Sequence, residues 1–458
     1  MSQNNSPWIY QLNKERKIEK LSSDIDSDIV IVGGGIAGIS TAFFILKYTD
    51  KNIILLEKNK IARGATGHNA GQMVSYFERP YYEIVEEFGK EMAAEGQQFI
   101  ENAWEILDEI YKEVGLDINF FKFVGYDGFT NFEQLEEALK NNKARDESGL
   151  DILPILVSGE SPHLKSIPDK FISYYEVVSG DKIKELLETE DNNYFALMSH
   201  QKGVMNSALF TEEVAEYLCS AYSSRFSLFE NTSVSKIVMK ENGVIADTGN
   251  HIIGSEKIIL CTNGFENFQI LNYTGLNINT KFHHLVEGVV ARMSGYFEKL
   301  NKEPAAISYY TDNVEGFDSM SNPYFYLTRR PYDHENYPEH NLICIGGPQH
   351  SIEDRSEYDA EIEYEEQAKE QIESFLKKVY DLDPNKKIEY QFMWHGLMGY
   401  TTNGIRLIGA EPLNPHLLYN LGCNGVGILP SLYGGKRISK IIAGEILPSS
   451  IFDPRNSQ

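Results

Sequence analysis

The chain of 458 residues is poor in positive charge: 42 Lys and Arg stand against 67 Asp and Glu, a formal net charge of −25. Nucleic acid as a main partner needs concentrated positive charge against phosphate, and this balance excludes that class. It also disfavours an anionic membrane surface. Cysteine is scarce. Cys219, Cys261, Cys344 and Cys423 are widely spaced and make no C-x-x-C, which argues against a disulfide scaffold or zinc site and fits a reducing cytoplasm. Residues 1–27 form a polar leader without the apolar core or cleavage site of a secretory signal. The 11 histidines show no metal-ligand spacing. His283 and His284 are adjacent and would point apart on a strand; His334 and His340 sit in an acidic, proline-flanked stretch that reads as a solvated loop. No internal repeat or low-complexity tract is visible. One run, Ile29–Leu46, is apolar enough to resemble a membrane helix, but three successive glycines interrupt it, so no membrane insertion is expected.

What the chain does have is a 42% hydrophobic and 12% aromatic composition, enough for a well-buried globular protein, and a length that points to two domains. Ile29–Val32 reads as a buried strand. It runs into Gly33-Gly34-Gly35-Ile36-Ala37-Gly38, and a helical stretch follows. This is G-x-G-x-x-G in the strand-turn-helix setting that gives the motif meaning. Gly33 permits the tight turn, Gly35 lets backbone approach a pyrophosphate, and Gly38 lets helix and strand pack closely. The pyrophosphate then meets a helix N-terminus, where free N–H groups favour negative charge. A second strand, Ile53–Leu56, ends at Glu57, nineteen residues beyond Gly38, where a carboxylate can hold a ribose diol. Glu57 and its neighbour Lys58 are therefore candidate cofactor contacts.

Further along, residues 81–114 show helical spacing, with Phe99, Ala103, Ile106, Leu107 and Ile110 on one face. Phe120–Val124 reads as a strand and Asn131–Asn142 as an acidic helix. Residues 145–198 alternate Pro, Gly and charge and yield no ordered assignment. A helix is expected over Phe210–Tyr222, strands over Ser227–Phe229, Ser233–Met239, Lys257–Cys261, Phe282–Met293 and Tyr324–Arg329, and a strand over Leu342–Ile345 that stops at Gly346-Gly347. Glu361–Tyr380 reads as a charged helix with Ala368, Ile372, Leu376 and Val379 buried. The fold class expected is α/β: a Rossmann-like cofactor domain (28–115, 199–272 and 396–448) interleaved with a sheet-rich α+β substrate domain (116–198 and 273–395), followed by a tail at 449–458.

Two more glycine-rich segments extend the motif. Residues 63–73 read Arg-Gly-Ala-Thr-Gly-His-Asn-Ala-Gly-Gln-Met, and their small residues let a loop lie flat against a planar ligand. Residues 419–444 run from a strand through Gly422, Gly425 and Gly427 into a helix whose N-terminus can stabilise negative charge. Together with Gly203-Val204, Val234 in Asn-Thr-Ser-Val-Ser-Lys-Ile, Leu260-Cys261-Thr262-Asn263-Gly264, Glu287-Gly288 and Trp394–Gly409, these segments resemble the D-amino-acid oxidase/glycine oxidase/sarcosine oxidase family over about residues 28–446. The leader with Trp8 and the Gly-Ala-Thr-Gly-x-Asn loop are most similar to the γ-glutamylputrescine-oxidase-like branch.

The resemblance implies FAD as cofactor and an amine or amino acid as substrate. Hydride passes from the carbon beside nitrogen to the flavin, the imine hydrolyses, and O2 or another acceptor reoxidises the cofactor. It implies cofactor contacts from Gly33, Gly35, Ile36, Ala37, Gly38, Glu57 and Lys58. Gly64, Ala65, Thr66, His68, Asn69, Ala70 and Gly71 would follow from the second segment. Val234, Thr262, Asn263, Gly264, Gly396, Gly425, Val426, Gly427 and Ile428 complete the set. An amine that binds neutral needs no dedicated base, and none is assigned. Arg79, Trp394 and Tyr400 are cavity candidates, with His395 beside them and with Arg329 and Arg330 as further anion contacts. The position matching the flavin-linking cysteine of monomeric sarcosine oxidases is Gly396, and that matching their carboxylate-binding lysine is Leu429, so a small α-amino acid such as sarcosine fits poorly. His68 aligns with the flavin-bearing histidine of dimethylglycine-dehydrogenase-like relatives; a covalent bond, a non-covalent contact and plain packing all stand open there. A dehydrogenase feeding a quinone or protein, and a flavin-binding protein without turnover, remain alternatives.

Overall fold

The computed structural model describes residues 4–264, 268–275, 277–278, 286–312, 323–332, 334, 336–352, 358–385 and 387–454. Two sheets carry it. In the first, Phe226–Phe229, Ile53–Leu56, Ile25–Val32 and Ile252–Leu260 lie side by side and parallel. Asn414–Leu421 adds a further parallel strand against the end of Ile252–Leu260. The central strands end in apolar, buried runs, Ile29–Val32, Ile53–Leu56 and Ile258–Leu260, because both faces are covered there. Ile29, Ile31, Ile53 and Leu55 join the cluster that holds the helices Ile36–Tyr48 and Ile428–Ile442, while Val30, Val32, Ile54 and Leu56 join a cluster on the opposite face. This is the two-residue alternation of a strand read from both sides.

The second sheet runs in the order Phe392–Thr401, Val286–Lys299, His340–Ile352, Tyr324–Pro331, Ala305–Tyr310, Phe121–Phe129, Ala196–Val204, Ile155–Ser158 and Glu176–Val178. Gln72–Val74 pairs with Ala196–Val204. Helix Glu366–Val379 packs Ile372, Leu376 and Val379 against Ile307, Leu327 and Ile345 of this sheet, and Ala368 is buried on the same helix.

Several elements depart from the expectations. The helical stretch 81–114 is three helices, Tyr81–Phe88, Lys90–Glu101 and Ala103–Val114, parted at Gly89, whose φ is +80°, and at Asn102. The strand expected to end at Gly346-Gly347 continues to Ile352. A Cβ on Gly346 would lie 2.2 Å from Met293 Sδ and 2.6 Å from the Tyr326 ring, so that glycine makes room across the sheet instead of turning the chain. Strand pairing in the region from Ser233 begins only at Lys236, and the helix expected from Glu361 begins at Glu366. Residues 199–204 and 396–401, expected in the cofactor domain, lie in strands of the second sheet. Of the strand expected over Phe282–Met293, the part from Val286 is present; His283 and His284 lie outside the described residues.

The segments near residues 6–8 and 451–452 are both packed against the body of the protein. Ser6 caps the short helix Pro7–Tyr10, accepting from the Trp8 N–H at 3.1 Å. Trp8 is fully buried, and its indole N–H donates to the Asn69 carbonyl at 2.6 Å. At the other end, Ile451 and Phe452 are buried in the first sheet's helical layer. No helix among the described residues is long and apolar enough to cross a membrane. Truncating a side chain as buried as Trp8 leaves a large cavity, and Trp8→Ala is expected to cost about 3–5 kcal/mol in urea unfolding.

Candidate cofactor and active site

The glycine turn is built by steric necessity. Gly33 has φ +111°, and a Cβ there would lie 2.6 Å from the Cys261 carbonyl oxygen. A Cβ on Gly38 would lie 1.9 Å from the Gly33 carbonyl oxygen. Gly35 ends the turn as N-cap of helix Ile36–Tyr48 and offers no side-chain cap. The first free N–H of that helix, on Ile36, is bound by Thr66 Oγ1 at 3.0 Å. Glu57 stands where the motif requires, and its carboxylate braces the turn: it accepts from Gly34 N–H at 2.7 Å and Asn59 N–H at 2.9 Å. Burial pushes its pKa up while these N–H groups oppose the rise.

The loop after Gly64 is short, with one 3-10 turn at Ala65–Gly67. Asn69 holds its shape: the side-chain amide donates to the Ala65 and Thr66 carbonyls and to Ser207 Oγ, and its oxygen accepts from Gly71 N–H at 2.7 Å. His68 Nδ1 lies 3.0 Å from the Gly64 carbonyl, a contact that places a proton on Nδ1, and the Asn4 backbone is a second hydrogen-bond partner of the ring. Burial lowers the His68 pKa. A Cβ on Gly396 would lie 2.6 Å from the His68 carbonyl oxygen, so strand Phe392–Thr401 lies directly on this loop. The third glycine segment turns at Gly422 (φ +84°) and Gly425 (φ +77°) and ends in Gly427, N-cap of Ile428–Ile442, again without a side-chain cap.

These segments line one cavity of about 400 Å³ between the two sheets. Of the expected residues, Gly33, Gly35, Ile36, Ala37, Glu57, Lys58, Gly64, Ala65, Thr66, His68, Asn69, Ala70, Val234, Thr262, Asn263, Gly396, Tyr400, Gly425, Val426, Gly427 and Ile428 lie in its wall. Gly38, Gly71 and Gly264 stand behind it: Gly38 against Gly33, Gly71 against the Trp8 indole, and Gly264 against Val286. Two helix N-termini that begin at glycine, the first with its Ile36 N–H taken by Thr66, and a backbone cradle in which a Cβ would clash fit the phosphates of a dinucleotide.

Four candidates are corrected. The Arg79 guanidinium is taken up by Glu83, Glu87 and the Asn403 carbonyl, outside the cavity wall. Arg329 is paired with Glu188 at 2.6 and 2.7 Å, and Arg330 lies over the Trp8 ring at 5.7 Å. Trp394 is fully buried in an apolar cluster with Trp8, Met293 and Phe392. Packing, not the cavity, takes its ring.

The wall also holds residues that the sequence analysis passed over: Tyr76, Glu78, Tyr324, Tyr326, Gln349 and Arg406. Arg406 is buried, bound to the Asn420 side chain at 2.7 Å and carbonyl at 3.0 Å, and burial lowers its pKa to about 10. Glu78 is the immediate neighbour of Arg79. Of this Glu-Arg pair, the structure turns the carboxylate inward and the cation outward. What surface Glu78 exposes faces the cavity, and its surroundings raise its pKa to about 7, mainly by desolvation and further through the Asp127 charge. Tyr324 opposes this, donating its hydroxyl to both carboxylate oxygens at 3.1 and 3.2 Å.

A parallel sheet with three glycine turns, covered across an aromatic-lined cavity by a second sheet, defines a dinucleotide-dependent oxidoreductase. The family model described as FAD dependent oxidoreductase (DAO) matches residues 28–441, and the chain belongs to that family. It is 20% identical over 446 residues to the probable oxidoreductase OrdL of Haemophilus influenzae, covering 96% of this chain and 88% of that protein. It is 29% identical over 108 residues to the gamma-glutamylputrescine oxidoreductase of Escherichia coli, covering 24% of this chain. That match spans 25% of the latter protein, about a quarter of its length. Glycine oxidase from Geobacillus kaustophilus shares the fold with a TM-score of 0.66 at 15% identity, covering 93% of this chain and 98% of that one.

A carboxyl raised to about 7 in the folded chain binds a proton that the unfolded chain has already released. Glu78 therefore costs stability as pH rises from about 4.5 to 7, by up to about 3 kcal/mol. The Glu78→Gln variant escapes this cost. Its melting temperature is expected to gain on the parent's between pH 5 and pH 8, as differential scanning calorimetry at each pH would show.

Proposed function

We propose that the protein is an FAD-dependent enzyme that oxidises the C–N bond of an amine or amino acid, working in the cytoplasm and passing the electrons to O2 or another small acceptor. The observation that carries this reading is a cavity running from the glycine turns to the Glu78 and tyrosine wall, a continuous space that would serve cofactor and substrate together. The names of the relatives support the donor class, and four free cysteines support a reducing compartment.

Bound FAD supplies the hydride acceptor, and the protein supplies placement and electrostatics. Backbone N–H groups of the Gly33–Ala37 turn would hold the pyrophosphate. Glu57, already fixed by Gly34 and Asn59, would present its remaining lone pairs to the ribose, and Val234 would meet the adenine side. The loop from Gly64 to Ala70 and the turn Gly425–Gly427 would border the isoalloxazine, where the N-terminus of Ile428–Ile442 favours negative charge. The tyrosines of the second sheet exclude water from the substrate side.

The purified protein is expected to be yellow, with flavin bands near ~370 and ~450 nm. Acid precipitation then decides the state of His68. Colour left in the pellet, and freed in His68→Ala, means a covalent bond; colour in the supernatant means none. Anaerobic bleaching by members of an amine and amino-acid panel is the expected result. A colourless protein that refuses added FAD, or a yellow one that no amine bleaches, would overturn the reading.

A further inference from the structure

We propose that Glu78 receives the cationic nitrogen of the substrate, so that this pocket recognises amines through their nitrogen and makes no demand for an α-carboxylate. The proposal rests on the reading of the protein as an amine-oxidising flavoenzyme and specifies its substrate side.

The carboxylate is short of partners. An ionised carboxylate offers about four acceptor positions. Among the described residues the Tyr324 hydroxyl is the one side-chain donor bound to it, and no cation pairs with it. Arg79, adjacent in sequence, is spent on Glu83 and Glu87 outside. A carboxylate in such surroundings is costly unless something supplies the missing charge. Everything else at this end of the cavity suits a cation. Tyr76, Tyr324, Tyr326 and Tyr400 stand in the same wall, and tyrosine faces attract positive charge. Tyr310 backs them, its ring 5.0 Å from that of Tyr324.

The charged groups behind this wall cancel locally. Asp127 is buried between Lys202 Nζ at 2.6 Å and His200 Nε2 at 2.9 Å, and the His200 ring lies 4.8 Å from the Tyr76 ring. Asp127 and Lys202 act on Glu78 in opposite senses, so no positive field is left there to draw in a substrate carboxylate. The cations that do line the cavity stand with the cofactor segments: Lys58 beside Glu57, Arg63 at the start of the second glycine motif, and Arg406 bound to the Asn420 and Gly422 carbonyls.

Position completes the argument. A Cβ on Gly425 would lie 2.8 Å from Glu78 Cγ and 2.8 Å from the Tyr400 hydroxyl. Glu78 thus holds the nitrogen beside the turn that borders the isoalloxazine. The same carboxylate can take one proton from the ammonium nitrogen, breaking that N–H bond and forming an O–H bond on Glu78. This leaves a neutral amine with its lone pair restored. Bound FAD would supply the acceptor for the hydride of the adjacent C–H bond, and water would hydrolyse the iminium that remains.

The test uses the holoenzyme at pH 8 and tert-butylammonium, which has no hydrogen on the carbon bearing nitrogen and cannot be oxidised. In calorimetric titration it is expected to bind, and to bind about 10- to 100-fold more weakly to Glu78→Gln, the loss typical of a charged hydrogen bond. Tyr324→Phe, which keeps the carboxylate and loses only its tyrosine donor, is expected to retain binding. Both variants should keep the ~450 nm band of bound flavin, which separates a lost amine site from a lost fold. Propanoate is the opposite probe and should give no heat. Equal binding of tert-butylammonium to parent and Glu78→Gln, or binding of propanoate in its place, would overturn the proposal. Failure of the flavoenzyme reading shows separately, as absent colour or absent bleaching, while the titration still reports whether Glu78 holds a cation.

Discussion

The contact on which the molecule depends is the approach of Gly38 to the Gly33 carbonyl. With 1.9 Å between that oxygen and any Cβ, nothing but hydrogen can stand at residue 38. This closeness sets how helix Ile36–Tyr48 leaves strand Ile25–Val32. The angle of departure in turn points the helix N-terminus into the cavity and seats the helix on Ile428–Ile442. There a second close approach occurs: a Cβ on Gly435 would lie 2.9 Å from Ser40 backbone. Two helices therefore reach the same cavity with open N-termini because glycine lets their backbones pack against strand and against each other.

Around that fixed pair the remaining walls are held by side chains that serve the loop more than themselves. Asn69 alone satisfies two carbonyls, a hydroxyl and an N–H. Trp8 closes on the same loop from outside, Gly396 from the second sheet, and Ser207 from the start of helix Ser207–Ala221, donating to the Thr66 carbonyl at 2.7 Å. A loop of small residues, which alone would be mobile, is over-determined from three directions.

The cofactor side was legible in the sequence because backbone needs and residue types coincide there. Gly33 and Gly38 are demanded by turn sterics, Glu57 braces the turn through Gly34, and strand Ile53–Leu56 was read to the residue. The substrate side was not. Glu78 and Arg79 are adjacent, of opposite charge, and equally consistent with a cavity; which one turns inward depends on Glu83 and Glu87 one and two helical turns away drawing the guanidinium out. Tyr324 and Tyr326 come from a strand whose alternation shows which residues share a face but not which face meets the cofactor. Gly346 reads as a strand terminator in one dimension and proves to be a notch for Tyr326 and Met293 in three. Residues 145–198 resisted assignment because their elements are short and held by pairing with Ala196–Val204, a partner that local pattern cannot supply.

The contacts of residues 4–8 carry a consequence for the order in which the molecule can be completed. Asn5 bridges Met393, the His395 N–H donates to Asn4 Oδ1 at 2.8 Å, and Trp8 packs with Trp394. Residues 4–8 thus wait for partners almost four hundred positions later. Strand Asn414–Leu421 and helix Ile428–Ile442, which finish the parallel sheet and its second open N-terminus, emerge later still. Such long-range closure is slow and leaves early surfaces exposed. The nascent chain has no complete cradle until residues 414–442 have been made, so a cofactor cannot be fully held before them.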